Sequence, residues 1–339
     1  MLPRESKHCL IQFNQNRFIT KIKAYGYANQ EEGRKVDTNT LFQAASISKS
    51  INSLGLLKLA EQGKIHLDTN INTYLKTWKF PYKKPTDKIT TRLLLAHVAG
   101  TSVSGFLGYE RTAAIPSLIE VLDGKGPANS KPVRLIEKPG KRFIYSGGGT
   151  TISQALLADV TAETYEDFMK REILKPLNML NSTYSLNGDS LRVASGYHTD
   201  GKKVKGNFHL YPELAAAGLW TTPTDLANYI IECQLALEGR SAKVLSQQFM
   251  KERFTPVLSS AESKIALGVF LHNKNGVYYF NHNGGNYGFS CTSWGSLEKG
   301  YGVIVMTNSD NHSFMQEVCN SVARVYEWDR FYIPQVAKK

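Results

Sequence analysis

In the segment Phe42-Gln43-Ala44-Ala45-Ser46-Ile47-Ser48-Lys49-Ser50, a serine and a lysine stand three residues apart, immediately ahead of a helical pattern. From Ile51 to Gly63 the apolar residues Ile51, Leu54, Leu56, Leu57 and Leu59 recur mostly at three- and four-residue steps, which predicts an amphipathic helix. With Ser46 in its first turn, Lys49 lies one turn on, on the same face. The pair then sits beside the positive end of the helix dipole and its unpaired N–H groups. A serine hydroxyl needs an adjacent base to act as a nucleophile, and a lysine serves when desolvation or other cations lower its pKa. S-x-x-K also arises by chance, so the pair gains meaning only from the rest of the chain.

The 339 residues allow one large domain or two. No apolar run reaches the roughly 18 residues of a membrane span. The start, Met1-Leu2-Pro3-Arg4-Glu5-Ser6-Lys7-His8, lacks the apolar core of a secretory signal. As the sequence stands this predicts a cytoplasmic protein, or an exported one whose signal has been removed. Against 29 Asp+Glu stand 41 Lys+Arg, a formal charge of +12. The basic residues are scattered, with short clusters such as Lys83-Lys84 and Lys202-Lys203-x-Lys205 and no aromatic-interleaved stripe. They predict a solvated basic surface and no nucleic-acid partner. Cys9, Cys233, Cys291 and Cys319 are far apart and lack C-x-x-C spacing, which argues against a zinc site or a disulfide framework and for buried free thiols.

The N-terminal part predicts a β-hairpin, with arms Leu10 to Phe13 and Phe18 to Tyr27 and a turn signal at Asn14-Gln15-Asn16. After the Ser46 helix come a short helix capped near Asp68 to Asn70, a surface loop over 77–88, and a capped helix Thr90 to His97 ended by Gly100. The region 101–140 is irregular, of the kind that often borders a binding site, with helical spacing only at 115–122. Helices are expected over 150–160 and 165–174, and turns with short strands over 187–210. Thr221-Thr222-Pro223-Thr224-Asp225 caps a helix to about Glu238. Beyond residue 264, segments 266–271, 278–282, 290–296 and 302–307 form an expected antiparallel meander, closed by a helix over 314–326. The layout predicts an antiparallel sheet built from both chain ends with a helical region between.

Two further places combine reactive groups with glycine. Tyr145-Ser146-Gly147 opens a glycine-rich turn that permits close backbone approach. Asn281-His282-Asn283-Gly284-Gly285-Asn286 ends a strand and can aim a backbone N–H at developing negative charge. Taken singly, Tyr145 reads as a packed aromatic and His282 as a structural histidine. His97 packs or caps at its helix end, and Asp225 is a capping or first-turn carboxylate.

Together, Ser46-x-x-Lys49, Tyr145-x-Gly147 and His282-x-Gly284-Gly285, in this order and at these separations, resemble the motifs of the penicillin-recognising serine hydrolases. Within them the chain is similar to the class C β-lactamase-related group, which includes esterases and D-amino-acid peptidases. The likeness extends from Lys7 to Trp328. It is supported by Leu93-Leu94-Leu95-Ala96-His97-Val98-Ala99-Gly100, by Gly218-Leu219-Trp220-Thr221-Thr222-Pro223-x-Asp225-Leu226-Ala227 and by Val305-Met306-Thr307-Asn308-Ser309. It implies an α/β (α+β) fold of the β-lactamase/transpeptidase type, an antiparallel sheet flanked by helices with an inserted, mostly helical lobe. Residues 7–328 would form one two-lobed domain.

The resemblance also implies roles. Ser46 would be the acylated nucleophile, Lys49 would move its proton, and Tyr145 would be a second proton-transfer group facing the leaving group. His282 stands where β-lactamases of this class carry a lysine. The oxyanion hole would be the N–H groups of Ser46 and Gly285, with Gly284 and Gly147 lining the substrate site. The chain departs from the pattern at Gly147, where lactamases carry an amide-binding asparagine, and in starting almost directly at its first strand. The expected function is hydrolysis of esters or amides through an acyl-enzyme, esterase-like, with a small-molecule or peptide substrate and neither metal nor cofactor. The alternatives are a D-amino-acid peptidase or carboxypeptidase, a weak β-lactamase, and a non-catalytic binding protein on this scaffold. Oligomeric state is left open.

Overall fold

The computed structural model describes residues 9–84, 86–186, 191–259, 263–328 and 331–332. The N-terminal residues 1–8, including the expected domain start Lys7, lie outside these, as do residues 187–190 of the expected turn region.

The expected hairpin is present: β1 (Cys9–Gln15) pairs antiparallel with β2 (Phe18–Tyr25). Its turn residues, Asn16 and Arg17, both have positive φ, 52° and 66°, the geometry whose twist matches that of the flanking strands. A small pair follows, β3 (Tyr27–Asn29) with β4 (Arg34–Lys35), then β5 (Phe42–Gln43) and helix α1 (Ile47–Glu61). The amphipathic expectation for α1 is corrected: every residue from Ile47 to Leu57 is buried. Its polar positions are satisfied inside the protein. Ser50 Oγ donates to the Gly268 carbonyl at 2.6 Å, and Asn52 Nδ2 donates to Ser153 Oγ at 2.9 Å.

The middle of the chain is mainly helical and loop. Helix α2 (Thr91–Leu95), strand β6 (Tyr109–Glu110) and helix α3 (Leu118–Asp123) come first. Thr90 and Ser117 cap the two helices by accepting the N–H three residues on. Then come α4 (Gly147–Thr161), α5 (Tyr165–Met169), β7 (His209–Leu210), α6 (Leu214–Ala217), β8 (Trp220–Thr221), α7 (Pro223–Leu237) and α8 (Gln247–Phe254). α7 starts as its sequence predicts, with Thr222 as cap and proline in the first turn. Strand β7 pairs with β6, and β8 with β5.

The C-terminal part supplies β9 (Leu258–Ser259), β10 (Ser263–Ile265), β11 (Phe270–Lys274), β12 (Val277–Asn286), β13 (Phe289–Ser296), β14 (Gly302–Thr307) and helix α9 (His312–Val325). The strand expected over 266–271 is displaced to Phe270, because Gly268, at φ 77°, turns the chain first. The main sheet runs β2-β1-β14-β13-β12-β11-β10-β9, antiparallel throughout and drawn from both chain ends as expected.

Side chains alternate across this sheet. Ile304 and Met306 point into the large core with Leu54 of α1 and Ile230 of α7, whereas Val303 and Val305 pack with Phe314, Val318 and Cys319 of α9. The same alternation puts Phe280 in the large core and Tyr279 on the α9 side. It therefore assigns His282 and Gly284 to the face that meets α1. Among the described residues no helix is long and apolar enough to cross a membrane. The four cysteines are free and buried, as their spacing predicts.

Candidate active site

Ser46 sits one residue ahead of α1, half-buried, at the N-cap position, with no capping bond from its side chain. Two features fix the turn that presents it. Strand β5 pairs with β8, and the Ala44 N–H donates to the Leu219 carbonyl at 2.8 Å. Ala45 is fully buried at φ 47°, a left-handed conformation that an alanine adopts only under external constraint. The N–H groups of Ile47, Ser48 and Lys49 turn back to the carbonyls of Ala44, Ala45 and Ser46. The Ser46 hydroxyl is thus left free of helix capping.

Lys49, 4% exposed, donates from Nζ to Ser46 Oγ at 3.0 Å and to the Ala216 carbonyl of α6 at 2.7 Å. The sequence spacing alone placed this pair, and the structure brings it into hydrogen-bond contact. Nζ also lies 5.2 Å from the centroid of the Tyr145 ring, so one lysine nitrogen meets both groups.

Tyr145 precedes α4. The glycines after it, expected as a turn, form the first turn of that helix instead: Ser146 is the cap and its hydroxyl accepts the Gly149 N–H at 2.8 Å. Close approach explains the glycines. A Cβ on Gly147 would lie 3.0 Å from Phe106 Cε2 and 3.2 Å from the Ser104 carbonyl oxygen, and one on Gly148 would lie 2.7 Å from the Ser102 carbonyl oxygen. The irregular 101–106 segment therefore lies across the start of α4, with an aromatic ring in the place of a side chain at position 147.

His282 lies inside β12, opposite Ser293, rather than at a strand end. β12 runs unbroken through Gly284 and Gly285 to Asn286. At 3% exposure, the His282 imidazole has Nδ1 2.7 Å from the Asn283 carbonyl oxygen. A carbonyl only accepts, so Nδ1 carries the proton and Nε2 is a bare acceptor. Nε2 is buried without a hydrogen-bond partner among the described residues. Burial, followed by the Lys49 charge, pushes the His282 pKa down to about 3, which keeps the ring neutral. Its ring centroid is 6.2 Å from that of Tyr145 and 5.3 Å from that of Phe270.

Gly284 faces the turn that carries Ser46: a Cβ there would lie 2.4 Å from the Ala44 carbonyl oxygen and 3.1 Å from Ala45 Cβ. Gly285 faces the other way, toward His312 of α9. Asn286 closes the corner, donating to Gln43 Oε1 at 2.7 Å and to the Ala217 carbonyl at 3.0 Å.

The structure thus gathers Ser46, Lys49, Tyr145 and His282 around one spot, with Gly147 and Gly284 at its walls. The sequence missed His97 as a member of this group. Its ring lies against Tyr145 with centroids 4.4 Å apart, and its Nδ1 accepts the Ser146 N–H at 3.2 Å. Burial lowers its pKa well below the usual value, with Lys49 and His282 adding to the effect. Asp225 is a buried carboxylate that accepts from the Asn181 N–H and from Ser182, away from these groups and consistent with a structural role. Among the described residues no cluster of three or more His, Cys, Asp or Glu side chains could hold a metal.

The β-lactamase family model matches residues 19–325. The chain belongs to this family. Among curated relatives, Protein flp of Staphylococcus aureus (strain MRSA252) is 26% identical over 312 residues, 88% of this chain and 58% of that protein. The putative penicillin-binding protein PbpX of Bacillus subtilis (strain 168) is 24% identical over 313 residues, 91% of this chain and 72% of that protein. The chain spans little more than half the length of the Staphylococcus proteins it matches. Among solved structures, the octameric penicillin-binding protein homologue from Pyrococcus abyssi superposes with TM-score 0.79 at 22% identity, covering 96% of this chain and 74% of the other. A class C β-lactamase gives TM-score 0.72 at 20% identity over 92% and 89% of the two chains. D-alanine carboxypeptidase AmpC from Burkholderia cenocepacia gives 0.75 at 16% over 94% and 93%. The fold is that of β-lactamases and transpeptidases, as the motifs imply.

Proposed function

We propose that this chain is an acyl-enzyme serine hydrolase with esterase-like specificity, acting on uncharged, apolar acyl substrates with water as the acceptor. Ser46 attacks the carbonyl while Lys49, 3.0 Å from its oxygen, takes the proton in its neutral form. The N–H groups of Ser46 and Gly285 hold the oxyanion. Collapse expels the alkoxide, which leaves with a proton delivered through Lys49 and Tyr145, and water repeats the cycle on the acyl-enzyme.

The observation that carries the ester preference is the pair of apolar or neutral groups where lactam-binding relatives carry polar ones. A neutral His282, with only a lone pair at Nε2, has no charge with which to hold a substrate carboxylate. The Phe106 ring fills the space beside Gly147, where an asparagine would bind a side-chain amide. A buried substrate amide left unpaired costs about 1–3 kcal/mol, or roughly tenfold to hundredfold in rate constant. A short acyl ester makes neither demand.

A second reading, a D-amino-acid peptidase or carboxypeptidase, is favoured by one of the matched structures being a D-alanine carboxypeptidase. Comparing kcat/KM for p-nitrophenyl butyrate, a chromogenic cephalosporin and a D-Ala-D-Ala peptide separates the readings. The ester is expected to be turned over fastest. A cephalosporin hydrolysed as fast as the ester would replace this reading with a lactamase, and a preferred peptide with a peptidase. Failure of a fluorophosphonate to label Ser46 would leave a binding protein.

A further inference from the structure

His97 makes a contact pattern that packing alone does not require. Its carbonyl oxygen accepts the Ile144 N–H at 2.8 Å and its Nδ1 accepts the Ser146 N–H at 3.2 Å. The N–H groups of the residues before and after Tyr145 thus end on one residue, and the His97 ring also lies on the Tyr145 ring. This is achieved with His97 at φ 56°, a left-handed conformation uncommon outside glycine that histidine, like asparagine and aspartate, adopts more readily than most residues. The Ser146 hydroxyl, which caps α4, donates to the Ser102 carbonyl at 2.8 Å. Tyr145 is therefore held between a helix start and a single histidine.

We propose that His97 is a positioning residue for Tyr145, its Nδ1 lone pair and left-handed backbone together aiming the phenol at the Ser46–Lys49 pair. This rests on the proton-transfer role proposed for Tyr145. The tautomer follows from the contact: Nδ1 accepts an N–H, so it carries no proton, and the neutral ring is protonated at Nε2. A protonated His97 would lose the Ser146 bond and set a second cation beside Lys49. Burial and the neighbouring Lys49 and His282 oppose that protonation.

The test uses two variants that both tolerate positive φ but differ in the acceptor. His97→Gly removes acceptor and ring, whereas His97→Asn keeps a side-chain oxygen where Nδ1 stands and favours the left-handed backbone. Rates are expressed per Ser46 titrated with a fluorophosphonate, so misfolded protein does not count. For p-nitrophenyl butyrate, His97→Gly should lower kcat by about tenfold to a hundredfold with KM changed less than about threefold, as loss of orientation does. His97→Asn should recover to within about fivefold of wild type. On a Tyr145→Phe background, His97→Gly should cost little more, because there is no hydroxyl left to aim. Equal kcat for the Gly and Asn variants, or a full His97→Gly loss on the Tyr145→Phe background, overturns the inference. A Tyr145→Phe enzyme with wild-type rate would instead overturn the role of Tyr145 itself, which is a separate outcome.

Discussion

A Cβ placed on Gly284 would lie 2.4 Å from the carbonyl oxygen of Ala44. The strand that carries His282 and the turn that carries Ser46 therefore meet backbone to backbone, and the Cys291 thiol, donating to the same carbonyl at 2.9 Å, seals the contact. This closeness sets the separation of the two halves of the site.

Gly284→Ala should consequently push β12 away from the Ser46 turn. No flexible side-chain end is there to give way, since the added methyl would meet a carbonyl oxygen and, at 2.5 Å, Cys291 Sγ. Overpacking of this kind costs about 1–3 kcal/mol, and displacing the proposed oxyanion donor Gly285 should lower ester hydrolysis by more than about tenfold. Urea unfolding and kcat/KM measured on the same preparation check both. Wild-type activity in a destabilised variant would show that the separation is not critical to the chemistry.

Ser46→Ala should abolish turnover while leaving the fold intact, because it removes the proposed nucleophile. Lys49→Ala and Tyr145→Phe should each lower kcat by about a hundredfold. Since Lys49 Nζ touches Ser46 Oγ and faces the Tyr145 ring, the double variant should lose less than the product of the two. Strictly multiplicative losses would mean that the two groups act independently.

The parts of this structure legible in the sequence are those set by local periodicity and caps. The β14 run Gly302–Thr307, the Thr222-Pro223 start of α7 and the Ser46/Lys49 spacing all speak through neighbours a few residues away. What stayed hidden depends on contacts between distant segments. α1 looked amphipathic because Ser50, Asn52 and Ser53 resemble a solvated face. Their partners, Gly268, Ser153 and Arg253, are supplied by other parts of the chain, and the face is buried. His97 looked like a helix-end residue because its role needs a left-handed backbone and a bond to Ser146, 49 residues on. The His282 segment looked like a strand end because Gly-Gly is a turn signal, whereas here Gly284 admits the Ala44 carbonyl and Gly285 faces His312 within an unbroken strand.

The neutral His282 makes acid sensitivity a measurable property of the site. Its pKa in the fold is about 3, against 6.5 for a free imidazole. Between those values the unfolded chain binds a proton that the folded chain does not, so stability present above pH 6.5 is lost as pH falls toward 3. Over the whole window the effect is at most about 5 kcal/mol, and the buried His97 acts in the same direction. His282→Gln should therefore show a shallower fall in unfolding free energy than wild type between pH 6.5 and 4, measured by urea denaturation at a series of pH values. Parallel curves would mean that the His282 ring takes up its proton in the fold as readily as in the unfolded chain.

Glu213 has the opposite sign. It precedes α6, the helix whose Ala216 carbonyl holds Lys49, and it is 0% exposed, with both carboxylate oxygens lacking a hydrogen-bond partner among the described residues. Burial pushes its pKa up to about 7 from 4.5. Between pH 4.5 and 7 the folded chain keeps a proton that the unfolded chain releases. Stability is therefore full below 4.5, falls as pH rises toward 7, and stays lower above it. The loss is at most about 3 kcal/mol. Glu213→Gln keeps the shape and removes the charge, so it should be more stable than wild type at pH 8, with the gap closing by pH 4.5. Urea unfolding of the two proteins at both pH values decides it. A gap of the same size at pH 4.5 and pH 8 would show that the glutamine gains from packing or a new hydrogen bond, and that Glu213 is not held protonated in the fold.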